Sequence, residues 1–87
     1  MKMRVRMPSD NEKAKAQNWP IWTKEVSIFP WHYEERETCF ILEGQATVID
    51  TEGNSINFGP GNWVEFEEGV SCTWTISAPI RKHYYFG

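Results

Sequence analysis

The chain has no apolar run near the ~20 residues that a membrane-crossing helix needs, so no membrane partner is expected. Internal repeats and low-complexity stretches are missing as well. Two cysteines, Cys39 and Cys72, are too few for a disulfide scaffold. Basic residues are scarce and scattered: nine Lys and Arg against twelve Asp and Glu give a net charge of −3. Without a basic stripe to neutralise phosphates, a nucleic-acid surface is excluded. Met1–Met7 alternates charged and apolar residues and lacks the apolar centre of a secretory signal, so it reads as an edge strand. The expected compartment is therefore the reducing cytoplasm, or an organelle if a targeting segment has been cleaved, with both thiols free.

Aromatic residues are what the chain has in plenty. They make up 15% of its 87 residues, with five tryptophans among them. Each large ring buries roughly 150–250 Å², which helps a chain this short to build one domain. Residues 1–18 read as an N-terminal strand and turn extension, in which Ser9 or Asp10 caps at most two helical turns. Residues 19–87 read as short strands separated by turns. Val26–Phe29 ends at Pro30, and Thr38–Leu42 and Ala46–Ile49 form a tight pair around Glu43 and Gly44. Glu52-Gly53-Asn54 marks a hairpin turn, and Ser55–Phe58, Trp63–Phe66, Cys72–Ile76 and Ile80–Phe86 follow. That spacing leaves no room for crossover helices and predicts an all-β sandwich or barrel.

Two segments concentrate the chemistry. In the first, Glu37 lies five residues after His32 and runs through Thr38-Cys39-Phe40-Ile41-Leu42-Glu43 to Gly44. In the second, Gly59-Pro60-Gly61 opens a strand that closes at Gly69, three residues before Cys72. This pair resembles the two signatures of the cupin superfamily, and most closely the small single-domain cupins grouped with (S)-ureidoglycine aminohydrolase. The resemblance runs from about Trp19 to Phe86 and implies a jelly-roll β-barrel. It also implies a divalent metal held inside by three histidines and a glutamate. Carried over by position, those ligands fall on Pro30, His32, Glu37 and Cys72, so two histidines are replaced. Lys24 stands where the first motif's opening glycine would be, and Glu67 where the second motif's proline would be.

His32, Glu37 and Cys72 are the candidate metal ligands, and a His/Glu/Cys set suits Zn²⁺ best. Glu37 is also the candidate catalytic group. Inside a barrel its carboxylate needs a partner, for which Lys24, Arg36, Arg81, Tyr33 and Tyr84 are in range. Unpartnered, it becomes a general acid or base. The plainer alternatives are a rim histidine, a rim glutamate beside Arg36, and a thiol that fills core space. Period-two alternation turns Glu37, Cys39 and Ile41 inward, together with Cys72, Trp74 and Ile76. Tyr33, Trp74, Lys82 and Tyr84 are the candidate ligand-binding residues, with Lys82 and Tyr84 sharing a face. Phe40 and Leu42 turn outward, to be covered by a second copy of the chain or by Trp19–Trp22. The functional expectation is a barrel that binds a small polar metabolite. A metal-dependent aminohydrolase acting on ureides and a structural homodimer are the alternatives.

Overall fold

In the computed structural model, which describes residues 2–87, the chain forms β1 (Met3–Arg6), α1 (Asp10–Ala16), β2 (Ile21–Lys24) and β3 (Ser27–His32). β4 (Glu37–Asp50), β5 (Ser55–Phe58), β6 (Trp63–Phe66) and β7 (Ser71–Phe86) complete it. All pairings are antiparallel. The two long strands β4 and β7 pair along almost their whole length at the centre of one seven-stranded sheet. The first half of β4 continues through β6 to β1, and the last part of β7 pairs β2. The second half of β4 pairs β5, and the first part of β7 pairs β3. The result is the expected all-β, single-domain cupin architecture. Its interior is packed by Trp74, Phe66, Phe58, Val48, Val64 and Ile76.

β5 and β6 fall where their glycine-marked turns predict, whereas two expected pairs of strands are each a single strand. Thr38–Leu42 and Ala46–Ile49 do not fold onto one another; both lie on β4 and pair β7. Between Ile41 and Ala46 the register shifts, and Gly44 sits there at φ +100°. A bulge lets a long strand bend without breaking its ladder. It also changes which alternate residues face inward: Cys39 and Ile41 before it, Ala46, Val48 and Asp50 after it. Cys72–Ile76 and Ile80–Phe86 are likewise both parts of β7. Pro30 does not end β3 but lies within it, as Pro can on an edge strand.

α1 has a full capping box. Ser9 Oγ accepts from the Glu12 backbone N–H, and the Glu12 carboxylate accepts from the Ser9 N–H. Arg6 pairs with Glu12 at 2.6 Å and holds its carboxyl at about 2, well below the usual carboxylate range. The helix buries Ala16 against Phe40 and Trp63, with Trp19 and Leu42 packed alongside. The outward face of Phe40 and Leu42 is thus covered within the chain, not left for a second copy. Among the described residues no helix is long and apolar enough to cross a membrane.

Candidate functional site

Four strands, β2, β3, β4 and β7, supply one cavity. β7 contributes Trp74, Lys82, Tyr84 and Phe86, β2 contributes Trp22, and β3 contributes Phe29 and Trp31. Tyr33 and Glu37 complete the lining. Its volume is about 190 Å³, room for roughly six waters at ~30 Å³ each. All four candidate ligand-binding residues, Tyr33, Trp74, Lys82 and Tyr84, therefore line one space. Trp22, Phe29 and Trp31 were not anticipated there. Alternation backwards from Tyr33 through Trp31 to Phe29 would have placed two of them.

Two charges face each other in this aromatic surround. The side chains of Lys82 and Glu37 are only 5% and 6% exposed. Lys82 Nζ lies 3.3 and 3.4 Å from the two Glu37 oxygens and 3.3 Å from Cys39 Sγ. It also stands 4.7 Å from the Trp22 ring centre and 4.8 Å from that of Trp74. Burial works against the ammonium, but Cys39 and Glu37 beside it outweigh burial and hold it above the ordinary lysine value. Cation–π contact from both tryptophans adds to this, and such contacts strengthen when desolvated. The Lys82–Glu37 pair thus satisfies a carboxylate that alternation turned inward. None of the expected partners does so: Lys24 reaches Glu25, Arg36 pairs with Glu65, and Arg81 reaches Glu43. Glu37 is accordingly neither a rim glutamate nor an unpartnered acid or base.

The neighbouring groups stay neutral. Burial, then the Glu37 charge, push the Tyr33 hydroxyl far above the phenol range. That hydroxyl accepts from the Trp74 indole N–H at 3.2 Å. Tyr33 also stacks on Phe66 with ring centres 4.5 Å apart. Burial pushes the Cys39 thiol up strongly despite Lys82. Cys72 is pushed up to about 11, by burial first and then by Asp50 and Glu37. Both thiols are free and buried, and neither is a nucleophile at neutral pH.

The three candidate metal ligands do not come together. Glu37 lines the cavity, whereas His32 and Cys72 border a separate, more open groove beside Asp50. Exposed His32 is bound through Nδ1 to Ser71 Oγ at 2.7 Å, and Cys72 Sγ lies 3.6 Å from the Trp31 carbonyl. Pairing explains this: His32 stands opposite Ser71 and Trp31 opposite Cys72, so His32 and Cys72 occupy opposite faces. Among the described residues no three His, Cys, Asp or Glu side chains gather closely enough to hold a metal ion. The side chains present do not fit the divalent metal, Zn²⁺ included, that the resemblance implies. The cation in contact with Glu37 is an ammonium.

The family profile of the EutQ-like cupin domain matches residues 11–84. The chain belongs to the EutQ-like cupin family. A DUF861 family protein from Thermotoga maritima shares 37% identity over 98% of this chain and 99% of its own, with a TM-score of 0.93. The EutQ protein of Clostridium difficile is 15% identical, with a TM-score of 0.69 over 76% of this cupin and 52% of its own chain. A DUF861 family protein from Pseudomonas syringae pv. tomato is 22% identical, with a TM-score of 0.69 over 77% of this chain and 29% of its own. These last two share the cupin fold. No curated protein matches the chain. Cupin membership therefore stands at the level of the EutQ-like family, and the comparisons do not extend it to the aminohydrolase group the two motifs resemble.

Proposed function

We propose that this EutQ-like cupin is a binding protein for a small metabolite, held in the cavity between Trp22, Trp74, Tyr84 and the Lys82–Glu37 pair. The observation that carries this reading is the composition of the cavity, mostly aromatic wall with a single buried ion pair. Apolar walls with a few fixed polar groups are how small-molecule sites gain affinity and orientation together. Catalysis is not part of the reading. Lys82 is held protonated, which removes it as an amine nucleophile, and both thiols are protonated. Glu37, the candidate catalytic group, is engaged as a partner. Ureides remain among the ligands to be tried because of the motif resemblance. Two free thiols support a reducing compartment, and we place the protein in the cytoplasm.

Thermal shift against ureides, sugars and small acids tests the proposal. A cavity ligand present at a hundred times its Kd stabilises the fold by about 2.7 kcal/mol. The same ligand should quench tryptophan fluorescence, and filling the cavity with Tyr84→Trp should abolish both signals. A panel with no stabilising compound, or a response unchanged in Tyr84→Trp, would count against the cavity.

A second reading, a homodimer, is favoured by a different observation. Ile28 on β3 is 72% exposed, Ile49 on β4 is 47% exposed, and Thr73 and Thr75 of β7 are exposed between those strands. This outward sheet face is apolar and β-branched, and a second copy would bury it. The two readings are compatible, since the face lies outside the cavity.

A further inference from the structure

Beside the cavity, whether or not it holds a ligand, three proton-exchanging groups meet away from bulk water. Glu37 and Cys39 face the same way on β4, and Lys82 reaches them from β7 because it enters opposite Ile41. All three are buried, Cys39 completely. Lys82 Nζ lies 3.3 Å from Cys39 Sγ and 3.3 Å from the nearer Glu37 oxygen, and the thiol also hydrogen-bonds Glu37. The carboxylate is thus a base in contact with both the amine and the thiol. The N···S separation limits what can join the two. A direct N–S bond would require it to close to roughly half, whereas a single inserted oxygen atom spans most of it. Burial sets the reagent. It shuts Cys39 off from glutathione-sized thiols and keeps the thiol protonated. Dioxygen, small and apolar, can enter beside an aromatic cavity of about 190 Å³. The other thiol, Cys72, has no such partner among the described residues: its sulfur contacts the Trp31 carbonyl, in a groove lined without lysine.

We propose that Cys39 and Lys82 form a site of oxidative cross-linking, at which dioxygen inserts one oxygen atom between Sγ and Nζ and ties β4 to β7 through a covalent S–O–N bridge. The atoms and electrons balance with no further reagent. The O–O bond, the S–H bond and two N–H bonds of the ammonium break, and S–O and O–N bonds form. Sulfur and nitrogen each give up two electrons, and dioxygen takes all four. Its second oxygen atom leaves as water with the thiol hydrogen and one hydrogen from nitrogen. The other ammonium proton passes to Glu37, which becomes a neutral carboxylic acid. That transfer removes what holds Lys82 out of amine chemistry at rest. Both buried charges disappear together, so no orphan ion is left in the aromatic surround. Reduction by two dithiol molecules returns thiol, amine and water. The bridge is therefore an oxidised form that a reducing compartment holds off and that excess dioxygen brings on.

Intact-mass measurement tests this on the full chain, purified under reductant, freed of it anaerobically and divided between air-saturated and anaerobic buffer. We expect most of the air-exposed chains, and none of the anaerobic ones, to gain one oxygen atom and lose two hydrogen atoms. Dithiothreitol after denaturation should restore the reduced mass. Peptide mapping should join a peptide containing Cys39 to one containing Lys82, and oxygen-18 gas should label the bridge. Cys72→Ser should cross-link as the wild type does, and Cys39→Ser should not. An unchanged mass after prolonged exposure of the folded protein to air would overturn the inference. So would a gain of oxygen on Cys39 with no loss of hydrogen, which marks the sulfenic, sulfinic or sulfonic acid. A cross-link that loses two hydrogens without gaining oxygen, a sulfenamide, would overturn it too. The same bridge mass persisting in Cys39→Ser would place the oxidation elsewhere and end the proposal. The ligand reading is untouched by any of these results, and the wild-type masses and peptide map decide the matter even if Cys39→Ser does not fold.

Discussion

Lys82 enters the interior opposite Ile41 and extends along the strand past Cys39 to Glu37, so one side chain reaches two inward positions of β4. Removing either end of such a pair leaves a buried charge without a partner, which costs about 3–5 kcal/mol, whereas replacing both ends with neutral groups of similar volume is often neutral. Lys82→Met alone should therefore lower stability by about that amount in urea unfolding, and adding Glu37→Gln should restore most of it. The pH dependence has a defined sign. Lys82 is raised in the folded state, so its contribution is complete below the ordinary lysine value near 10.5 and fades as pH rises through the folded value. The wild type should accordingly lose stability above pH ~10.5 more steeply than the double variant. Much of this was legible residue by residue. Alternation grouped Glu37 with Cys39 and Lys82 with Tyr84, leaving open whether the second pair reached the site, and both Lys82 and Tyr84 line the cavity. It did not reveal that Lys82 is the partner of Glu37, because that depends on the pairing of β4 with β7, which no local pattern encodes. His32 was misplaced for a related reason. Motif spacing fixes distance along the chain, but here the inward residues of β3 are Phe29 and Trp31, and His32 turns the other way.

At the scale of elements, Gly44 lies at the register shift that divides β4 into a half that pairs β6 and a half that pairs β5. A Cβ there would stand 2.2 Å from the Pro79 carbonyl oxygen and 2.8 Å from that of Ala78, at a φ of +100° that favours glycine. Gly44→Ala should destabilise by about 2–3 kcal/mol, read by thermal unfolding, because backbone atoms of β7 and not a flexible side chain block the space. A loss below about 0.5 kcal/mol would show that the bulge tolerates a side chain. The same glycine explains why two expected strands are one. Glu43-Gly44 carries the composition of a turn, and composition does not separate a turn from a bulge when the strand continues beyond it. β5 and β6, bounded by real turns, were read to the residue. α1 was expected as at most two turns capped by Ser9 or Asp10; the structure makes Ser9 the cap and adds Glu12 as the other half of a capping box.

For the whole molecule, 87 residues and 15% aromatics sufficed to indicate one all-β domain, and the paired motif segments indicated a cupin barrel. The surface was harder to read. Trp19 was one of the two expected covers of Phe40 and Leu42, whereas the packing of α1 there through Ala16 is a long-range event that single positions do not announce. The exposed face of Ile28, Ile49 and Thr75 emerges once β3, β7 and β4 are in register. Ile28→Lys with Ile49→Lys should leave the fold and the cavity intact and convert a dimer to a monomer, measured by sedimentation equilibrium. A wild type that sediments as a monomer at high micromolar concentration would exclude that interface.

Because β4 and β7 pair with each other from Glu37↔Phe86 to Asp50↔Cys72, neither half of the barrel can swing away from the other without tearing that ladder. A guest molecule thus has no hinged door to use. Of the rings that line the proposed site, Trp31 and Phe86 are the most exposed, half and two-fifths uncovered, so on the ligand-binding reading entry is a matter of side-chain torsion within a continuous frame.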